Sequence, residues 1–258
     1  MIASEHTITY APEKSEEYKS TEQQLSDYFF QSSIPKDELL ENSFLFLTTQ
    51  HIKRALFFYE IYKKIVNVPG VVMHFGCRWG RHLALFDSLR TIFEPFNYSR
   101  KLIGFETFSG FPARFDNEKD KNSKIMTEGY LATTHGYEQE LDKILKARES
   151  MAPMSHIKKY EIVKGDVTTT FPEYMEKNPH TIVAFAHLDI NLFQPTKQSL
   201  EILKKHVTKG SIIAIDEVSF DEIPGQTLAL AEVFGLNNIR LERIPHVNPT
   251  WPAYFVID

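Results

Sequence analysis

Three carboxylates at the ends of two apolar runs are the strongest candidates for chemistry. Asp189 comes directly after the run Thr181 to Leu188, and the adjacent pair Asp216-Glu217 follows the run Ser211 to Ile215. If the runs are successive parallel strands, the three side chains meet at one edge of the sheet. Carboxylates held together repel one another unless a cation compensates, and Mg²⁺ prefers oxygen ligands. The pattern predicts a divalent-metal site, with Mg²⁺ as the expected ion; helix capping or solvation is the alternative.

A second candidate site is the stretch VVMHFGCRWG at 71–80, an apolar run that ends in a turn bounded by Gly76 and Gly80. Backbone N–H groups at such a strand-turn-helix junction can hold a nucleotide-like ligand. The spacing is neither the dinucleotide fingerprint nor a P-loop, so a tight turn that binds nothing is the alternative. Glu106 ends the next apolar run, where doubly wound proteins hold an acidic residue for ribose hydroxyls.

The elements that must position these residues alternate between strands and helices. Apolar runs predict seven strands, at 71–75, 102–105, 160–163, 181–188, 211–215, 239–244 and 253–257. Stripes at spacings of three and four predict helices over 49–66, from Arg81 onward, over 195–207 with Gly210 as its end, and over 226–234. This order indicates an α/β fold: a Rossmann-like, doubly wound, mostly parallel seven-stranded sheet with a C-terminal antiparallel hairpin and an N-terminal helical extension.

We expect residues 1–48 to form a polar helical arm, which is also a candidate surface for homo-oligomer formation, and residues 49–258 to form one α/β domain. The stretch 113–158 is longer than an ordinary strand-helix connection and is predicted to be a lid insertion, with a solvated surface excursion as the alternative.

Composition narrows the class of protein. The 258 residues carry 29 Lys and Arg against 34 Asp and Glu, a formal net charge of −5, which argues against a nucleic-acid partner. The single cysteine, Cys77, excludes an intramolecular disulfide and a Cys-based zinc site. The sequence contains neither an apolar signal region nor a run approaching the roughly 18 apolar residues of a membrane span. We therefore expect a cytoplasmic protein without a membrane span.

Five blocks carry a resemblance to a known family. They are HFGCRWGRH at 74–82, GFETFSGFP at 104–112, VKGDV at 163–167, LDINLFQPTKQSL at 188–200 and KGSIIAIDEVSFDEIPG at 209–225. In order and spacing they resemble the macrocin O-methyltransferase (TylF/NovP-like) family of class I S-adenosylmethionine-dependent methyltransferases, which act on sugar hydroxyls. The similarity covers the chain from about Val68 to its C-terminus.

The resemblance implies roles for individual residues. The turn at Gly76 and Gly80 would hold the methionine part of S-adenosyl-L-methionine, Glu106 would take the ribose hydroxyls, and Asp166 with Val167 would frame the adenine. Asp189, Asp216 and Glu217 match the family's metal ligands, and the metal would hold and activate the acceptor hydroxyl. The predicted cofactor-binding residues are His74, Gly76, Gly80, Arg81, Glu106, Thr107, Asp166 and Val167.

Four positions depart from the family pattern. His74 stands where the family usually has an acidic residue, and Glu106 and Glu217 stand where Asp is commoner. Asn191 replaces a family aspartate that is a candidate general base, and an amide is not a useful base at neutral pH. Proton removal is therefore assigned to His135 in the insertion or to His187 beside Asp189, since histidine titrates near neutral pH. A structural or solvated histidine is the alternative for each.

The sequence thus predicts a metal-assisted O-methyltransferase, with Asp189, His135 and His187 as catalytic residues and a sugar or glycosylated small molecule as acceptor. Methylation of a non-sugar hydroxyl is a second hypothesis. A third, motivated by His74 and Asn191, is a non-catalytic binding subunit that retains the methyltransferase fold. A nicotinamide-dependent oxidoreductase is disfavoured because the first turn lacks G-x-G-x-x-G.

Overall fold

A six-stranded sheet forms the centre of the described part of the molecule. The computed structural model describes residues 16–112, 120, 127–245, 247 and 252–258, with only the backbone for 16–19. The strands are β1 Val71–Phe75, β2 Leu102–Glu106, β3 Tyr160–Lys164, β4 Val183–Leu188, β5 Val207–Ile215 and β6 Ala253–Val256. Their spatial order is β3-β2-β1-β4-β5-β6. All neighbouring pairs are parallel except β5 and β6, which pair antiparallel.

Helices precede the sheet and connect its strands. They are α1 Glu16–Phe30, α2 Lys36–Leu39, α3 Thr49–Ile65, α4 Arg81–Phe93, α5 Tyr137–Met151, α6 Val167–Lys177, α7 Phe193–Leu203 and α8 Gly225–Val233, with 3₁₀ turns at Ser43–Phe46 and Leu236–Asn238. The expectation of a Rossmann-like α/β fold is confirmed. From β1 the chain adds strands first on one side, as β2 and β3, and then on the other side, as β4 and β5. Doubly wound proteins have their ligand crevice at this switch point, between β1 and β4.

Burial explains why the apolar runs became strands and helix faces. Every residue of β4 is buried, as expected for a central strand covered on both sides. One core joins α3 and α4 to one face of the sheet, with Phe58, Phe86 and Phe185 among its members. A second core joins α6, α7 and α8 to the other face, around Phe75 and Phe171. Packing on both faces of the sheet holds the carboxyl ends of the parallel strands at one edge.

The prediction of a seventh strand at 239–244 was wrong for the residues that the structure describes. That stretch makes one isolated antiparallel bridge, between Glu242 and Tyr254. A turn starts directly afterwards, where Val247 N donates to Ile244 O at 3.2 Å. Pro245 lies in this turn and has no N–H to extend a ladder. The expected hairpin is therefore reduced to β6 and a single bridge.

One helix prediction needs correction, and one helix was not predicted. The helix expected over 195–207 is α7, and it ends earlier because Val183 N donates to His206 O at 2.8 Å, which draws the chain into the sheet. Gly210 lies within β5 instead of ending a helix. The helix α6 was not predicted; it buries Val167, Phe171 and Tyr174 and contains Pro172.

The N-terminal region is helical where it is described, through α1, α2 and the 3₁₀ turn. Residues 1–15 and most of 113–126 lie outside the described residues. The division into an arm at 1–48 and a lid at 113–158 stays a prediction, as does oligomer formation through the arm. In the described part of the chain, no helix has both the length and the apolar character needed to cross a membrane.

Candidate active site

The turn between β1 and α4 is tied to both neighbouring strands. Gly76 N donates to Phe105 O at 2.9 Å, and Gly80 N closes the turn on Cys77 O at 2.7 Å. Gly76 has φ of +83°, and a Cβ at this position would collide with the carbonyl of Asp189. The turn thus requires glycine at position 76. No side chain caps the N-terminal N–H groups of α4. Such a turn fits the anionic and polar parts of a bound cofactor.

Glu106 is held by the backbone of this turn and of its own loop. Its Oε2 accepts from Arg78 N at 2.7 Å. Its Oε1 accepts from Phe108 N at 3.0 Å and from Thr107 Oγ1 at 3.2 Å. The carboxylate is therefore oriented in advance, and the structure brings Glu106 and Thr107 next to the turn.

The other predicted cofactor residues lie at helix starts. Arg81 is the first residue of α4 and has an exposed side chain. Asp166 caps α6, where its Oδ1 accepts from Thr168 N at 2.8 Å, and Val167 is buried behind it. A capping role accounts for Asp166 without a ligand, so its contact with adenine stays a prediction.

Two of the three predicted metal-ligating carboxylates, those of Asp189 and Asp216, come together, and the guanidinium of Arg54, which the sequence pattern did not predict, lies beside both. Arg54 Nη2 donates to both carboxylate oxygens of Asp216 at 2.7 Å. The same nitrogen is 3.8 Å from Asp189 Oδ2. Arg54 lies on the apolar face of α3, four residues before Phe58 and seven before Ile61. A charged residue on that stripe was the signal that could have identified it.

Burial shapes the acidity of all three carboxyl groups. It raises the pKa of Asp189 to about 7, with a further contribution from the charge of Asp216. Burial and the same charge hold the pKa of Glu217 well above its usual range. Burial also favours the protonated form of Asp216. Interactions with Arg54 and His187 outweigh this effect and keep the pKa of that carboxyl below its usual range. One guanidinium therefore does not fully compensate the three acids.

Glu217 is the least satisfied member of the cluster. Its backbone N donates to Gln226 Oε1 at 3.1 Å, and Gln226 Nε2 donates in turn to Leu188 O at 3.1 Å. Gln226, also missed in the sequence analysis, thereby joins the ends of β4 and β5. Glu217 Oε2 is buried without a hydrogen-bond partner.

The donor set fits an oxygen-preferring cation. Ligand atoms of His187, Asp189 and Asp216 all lie within 4.8 Å of one another. Among the described residues Glu217 is not part of this grouping, although its Oε2 is buried without a hydrogen-bond partner. This grouping includes His187, which the sequence analysis assigned to proton transfer. A cation here would have to share Asp216 with Arg54 or displace the guanidinium from it.

The predicted histidines lie in contrasting surroundings. His74 and His187 are fully buried, and their Nδ1 atoms are 3.0 Å apart. His187 Nε2 is 3.2 Å from Asp216 Oδ1, and His74 Nε2 is 3.2 Å from Nδ1 of a third histidine, His82. Neither ring of the His74–His187 pair has a nitrogen available to a cofactor or an acceptor in this arrangement. His135 is exposed in the turn before α5.

Burial lowers the pKa of His74, His82 and His187, so all three rings favour the neutral form. Asn191 is also buried and adopts a left-handed backbone with φ of +62°. Cys77 is a buried free thiol whose pKa is raised well above its usual range by burial and by Glu106, which fits packing better than nucleophilic chemistry.

Comparison with known proteins decides the family. CalS11, a calicheamicin methyltransferase, has a crystal structure that matches with a TM-score of 0.90 and 37% sequence identity over 95% of this chain and 94% of that one. The chain belongs to the macrocin O-methyltransferase (TylF/NovP-like) family. It is an S-adenosylmethionine-dependent O-methyltransferase, and the non-catalytic alternative falls away.

Two further solved structures are similar to this chain. The apo form of CalS11 matches at 34% identity over 95% of this chain and 96% of that one, with a TM-score of 0.83. The O-methyltransferase NovP shares the fold, with a TM-score of 0.61 and 16% identity over 80% of this chain and 79% of that one. No protein-family model and no curated protein match the sequence.

Proposed function

We propose that this chain transfers a methyl group from S-adenosylmethionine to a hydroxyl of a sugar, with a divalent cation held by Asp189, Asp216 and Glu217. The observation that carries the proposal is the direct contact between the two predicted sites. Asp189 N donates to Phe75 O at 2.9 Å, and the Asp189 carbonyl packs against Gly76 of the cofactor turn. A cofactor and an acceptor bound at these sites would lie side by side.

The acceptor class is supported by the related enzyme. CalS11 is described as a TDP-rhamnose 3′-O-methyltransferase, and the match extends over nearly the whole of both chains. We therefore assign a hexose or deoxyhexose acceptor, with a nucleotide-linked sugar as the first compound to test.

The residues have distinct roles in this proposal. Bound S-adenosylmethionine supplies the electrophilic methyl carbon, and a bound cation lowers the pKa of the acceptor hydroxyl. Glu106, already oriented by Arg78 N, accepts hydrogen bonds from ribose hydroxyls. Gln226 holds Glu217 at the end of β5, and Arg54 keeps Asp216 ionised. Orientation of the two reactants beside each other would supply much of the rate.

Removal of the acceptor proton is assigned to His135, since the ring of His187 is enclosed and both of its nitrogens are engaged. Asn191 has no acidic or basic group to serve in its place. His135→Ala should slow turnover without changing cofactor affinity, and His156→Ala, at another exposed histidine, is the control.

The decisive experiment is methyl transfer to TDP-rhamnose and a panel of nucleotide sugars, followed by mass spectrometry with and without excess chelator. We expect a product heavier by one methylene, loss of turnover in chelator and recovery with Mg²⁺. Glu217→Gln should mimic chelation, while Glu222→Gln at an exposed site should not. Full activity in chelator would refute the metal, and no methylated sugar from the panel would refute the acceptor class.

A further inference from the structure

Three buried histidines form a continuous chain beneath the carboxylate cluster. They come from three elements: His74 from β1, His82 from α4 and His187 from β4. Their exposed fractions are 0%, 3% and 0%. His82 Nδ1 is 3.2 Å from His74 Nε2, and His74 Nδ1 is 3.0 Å from His187 Nδ1. Each contact is within hydrogen-bond distance.

The two ends of this chain meet at one ion pair. At one end Arg54 Nε donates to His82 Nε2 at 3.3 Å. At the other end His187 Nε2 is 3.2 Å from Asp216 Oδ1. Arg54 and Asp216 are themselves joined at 2.7 Å. The five side chains thus close a ring of hydrogen bonds, which we call the histidine ring.

The chemistry of the two ends fixes the direction of every hydrogen bond in the histidine ring. A guanidinium can only donate, and an ionised carboxylate can only accept, whereas a neutral imidazole has one donor and one acceptor nitrogen. His82 must then accept through Nε2 and donate through Nδ1. His74 accepts through Nε2 and donates through Nδ1, and His187 accepts through Nδ1 and donates through Nε2.

This arrangement has no room for an additional proton. The four junctions that involve a histidine are filled by four N–H groups. Protonation of any one imidazole would therefore leave two N–H groups facing each other. The walls are also apolar: the Phe58 ring lies 4.8 Å from the rings of both His82 and His187. Burial of a charged ring among such neighbours is unfavourable.

We propose that His74 and His82 are positioning residues for methyl transfer, because their fixed tautomers lock Arg54 and Asp216 in one orientation at the reaction site. The inference rests on the proposed role of Asp216 at that site. It gives His74, the position that departs from the family's acidic residue, a task away from the cofactor. A transition-metal ion bound by the three histidines is the competing interpretation, since their ligand atoms also lie within 4.8 Å of one another.

Nitrogen-15 NMR of histidine-labelled protein tests the tautomers without turnover. At neutral pH we expect N–H at Nδ1 of His74 and His82 and at Nε2 of His187, with a tautomer mixture at the exposed His180. Added Zn²⁺ should leave the ring nitrogens of His74 and His82 unshifted. Any other tautomer pattern, or a Zn²⁺-dependent shift of these two rings, would overturn the proposal.

Variants test the consequence for catalysis. His82→Leu should release the tautomer of His74 and lower kcat about tenfold or more, with the KM for S-adenosylmethionine nearly unchanged. His82→Asn keeps a donor near Nδ1 and should restore most of the rate, and His180→Leu is the matched control. Unchanged kcat in folded His82→Leu would overturn the positioning role. Absent turnover with the expected wild-type tautomers would instead count against the proposed function alone.

Discussion

At the scale of single residues, Arg54 sets the charge balance of the acidic cluster. It neutralises Asp216 most directly and reaches Asp189 only at 3.8 Å. Asp189 and Glu217 therefore keep raised pKa values, and Glu217 keeps a buried oxygen without a partner. Buried carboxyl groups without full charge compensation lower the stability of the fold, and such groups are commonly concentrated at functional sites.

The pKa of Asp189 leads to a prediction about stability and pH. The folded carboxyl has a pKa of about 7 against an ordinary 3.8, so between those values the folded state holds a proton that the unfolded chain has released. Stability therefore falls as pH rises from about 4 to about 7. In chelator, Asp189→Asn should melt above the wild type at pH 8, by about 2 to 4 °C for each kcal/mol regained.

Differential scanning calorimetry at pH 5 and pH 8 checks this expectation. The gain should be smaller at pH 5, where the wild-type carboxyl is largely protonated. Asp221→Asn, at an exposed carboxylate, is the control and should change neither melting temperature. An equal gain at both pH values would contradict the assigned cause.

At the scale of elements, the turn from β1 into α4 joins the predicted cofactor site to the acidic cluster. It bonds to β2 through Phe105 O and orients Glu106 through Arg78 N, while β4 passes so close to Gly76 that no side chain fits. A change within this turn should therefore affect binding as well as stability.

Two glycines allow these effects to be separated. Gly76 and Gly136 have φ of +83° and +79°, but a Cβ at Gly76 would strike the Asp189 carbonyl, whereas a Cβ at Gly136 meets nothing within 4 Å. Gly136→Ala should cost about 1 to 2 kcal/mol from backbone strain alone. Gly76→Ala should cost more and also weaken S-adenosylmethionine binding about tenfold or more. Thermal unfolding and calorimetric titration measure both, and equal effects of the two variants would refute the steric argument.

At the scale of the whole molecule, the predicted insertion is linked to the start of α7 by a buried contact. Both carboxylate oxygens of Asp120 accept from Phe193 N, at 3.1 and 3.0 Å. Asp120 is 3% exposed and contacts the backbone just after Asn191 and Leu192, at the start of α7. The contact thus joins the segment around Asp120 to the segment that follows Asp189, 73 positions away from Asp120 at Phe193.

Removing this link should affect both stability and acceptor binding. Asp120→Ala removes the carboxylate that accepts from the Phe193 N–H and should lower the free energy of unfolding by about 1 to 3 kcal/mol. It should also raise the KM for the acceptor more than that for S-adenosylmethionine. Asp120→Asn retains an acceptor oxygen and should recover most of both properties. An Asp120→Ala enzyme with wild-type stability and KM values would show that the link is dispensable.

Local patterns in the sequence determined most of the framework. Short apolar runs predict the strands β1 to β5, and the residue directly after a run marks the end of its strand. This pattern placed Glu106, Asp189, Asp216 and Glu217 at the carboxyl ends of the parallel strands, along one edge of the sheet. The glycine turn was visible for the same reason. Where a long-range pairing competed with a local pattern, as at 239–244 and at Gly210, the expectation failed.

Only the tertiary structure decided what surrounds the acids. Arg54 is separated from Asp216 by 162 positions in the chain, and the packing of α3 on the sheet brings them together. The histidine ring likewise depends on the parallel register that sets His74 beside His187 and on the rotation of α4 that adds His82. The energies of buried charges depend on neighbours in space, and no local sequence pattern specifies which distant side chain will supply the compensating charge.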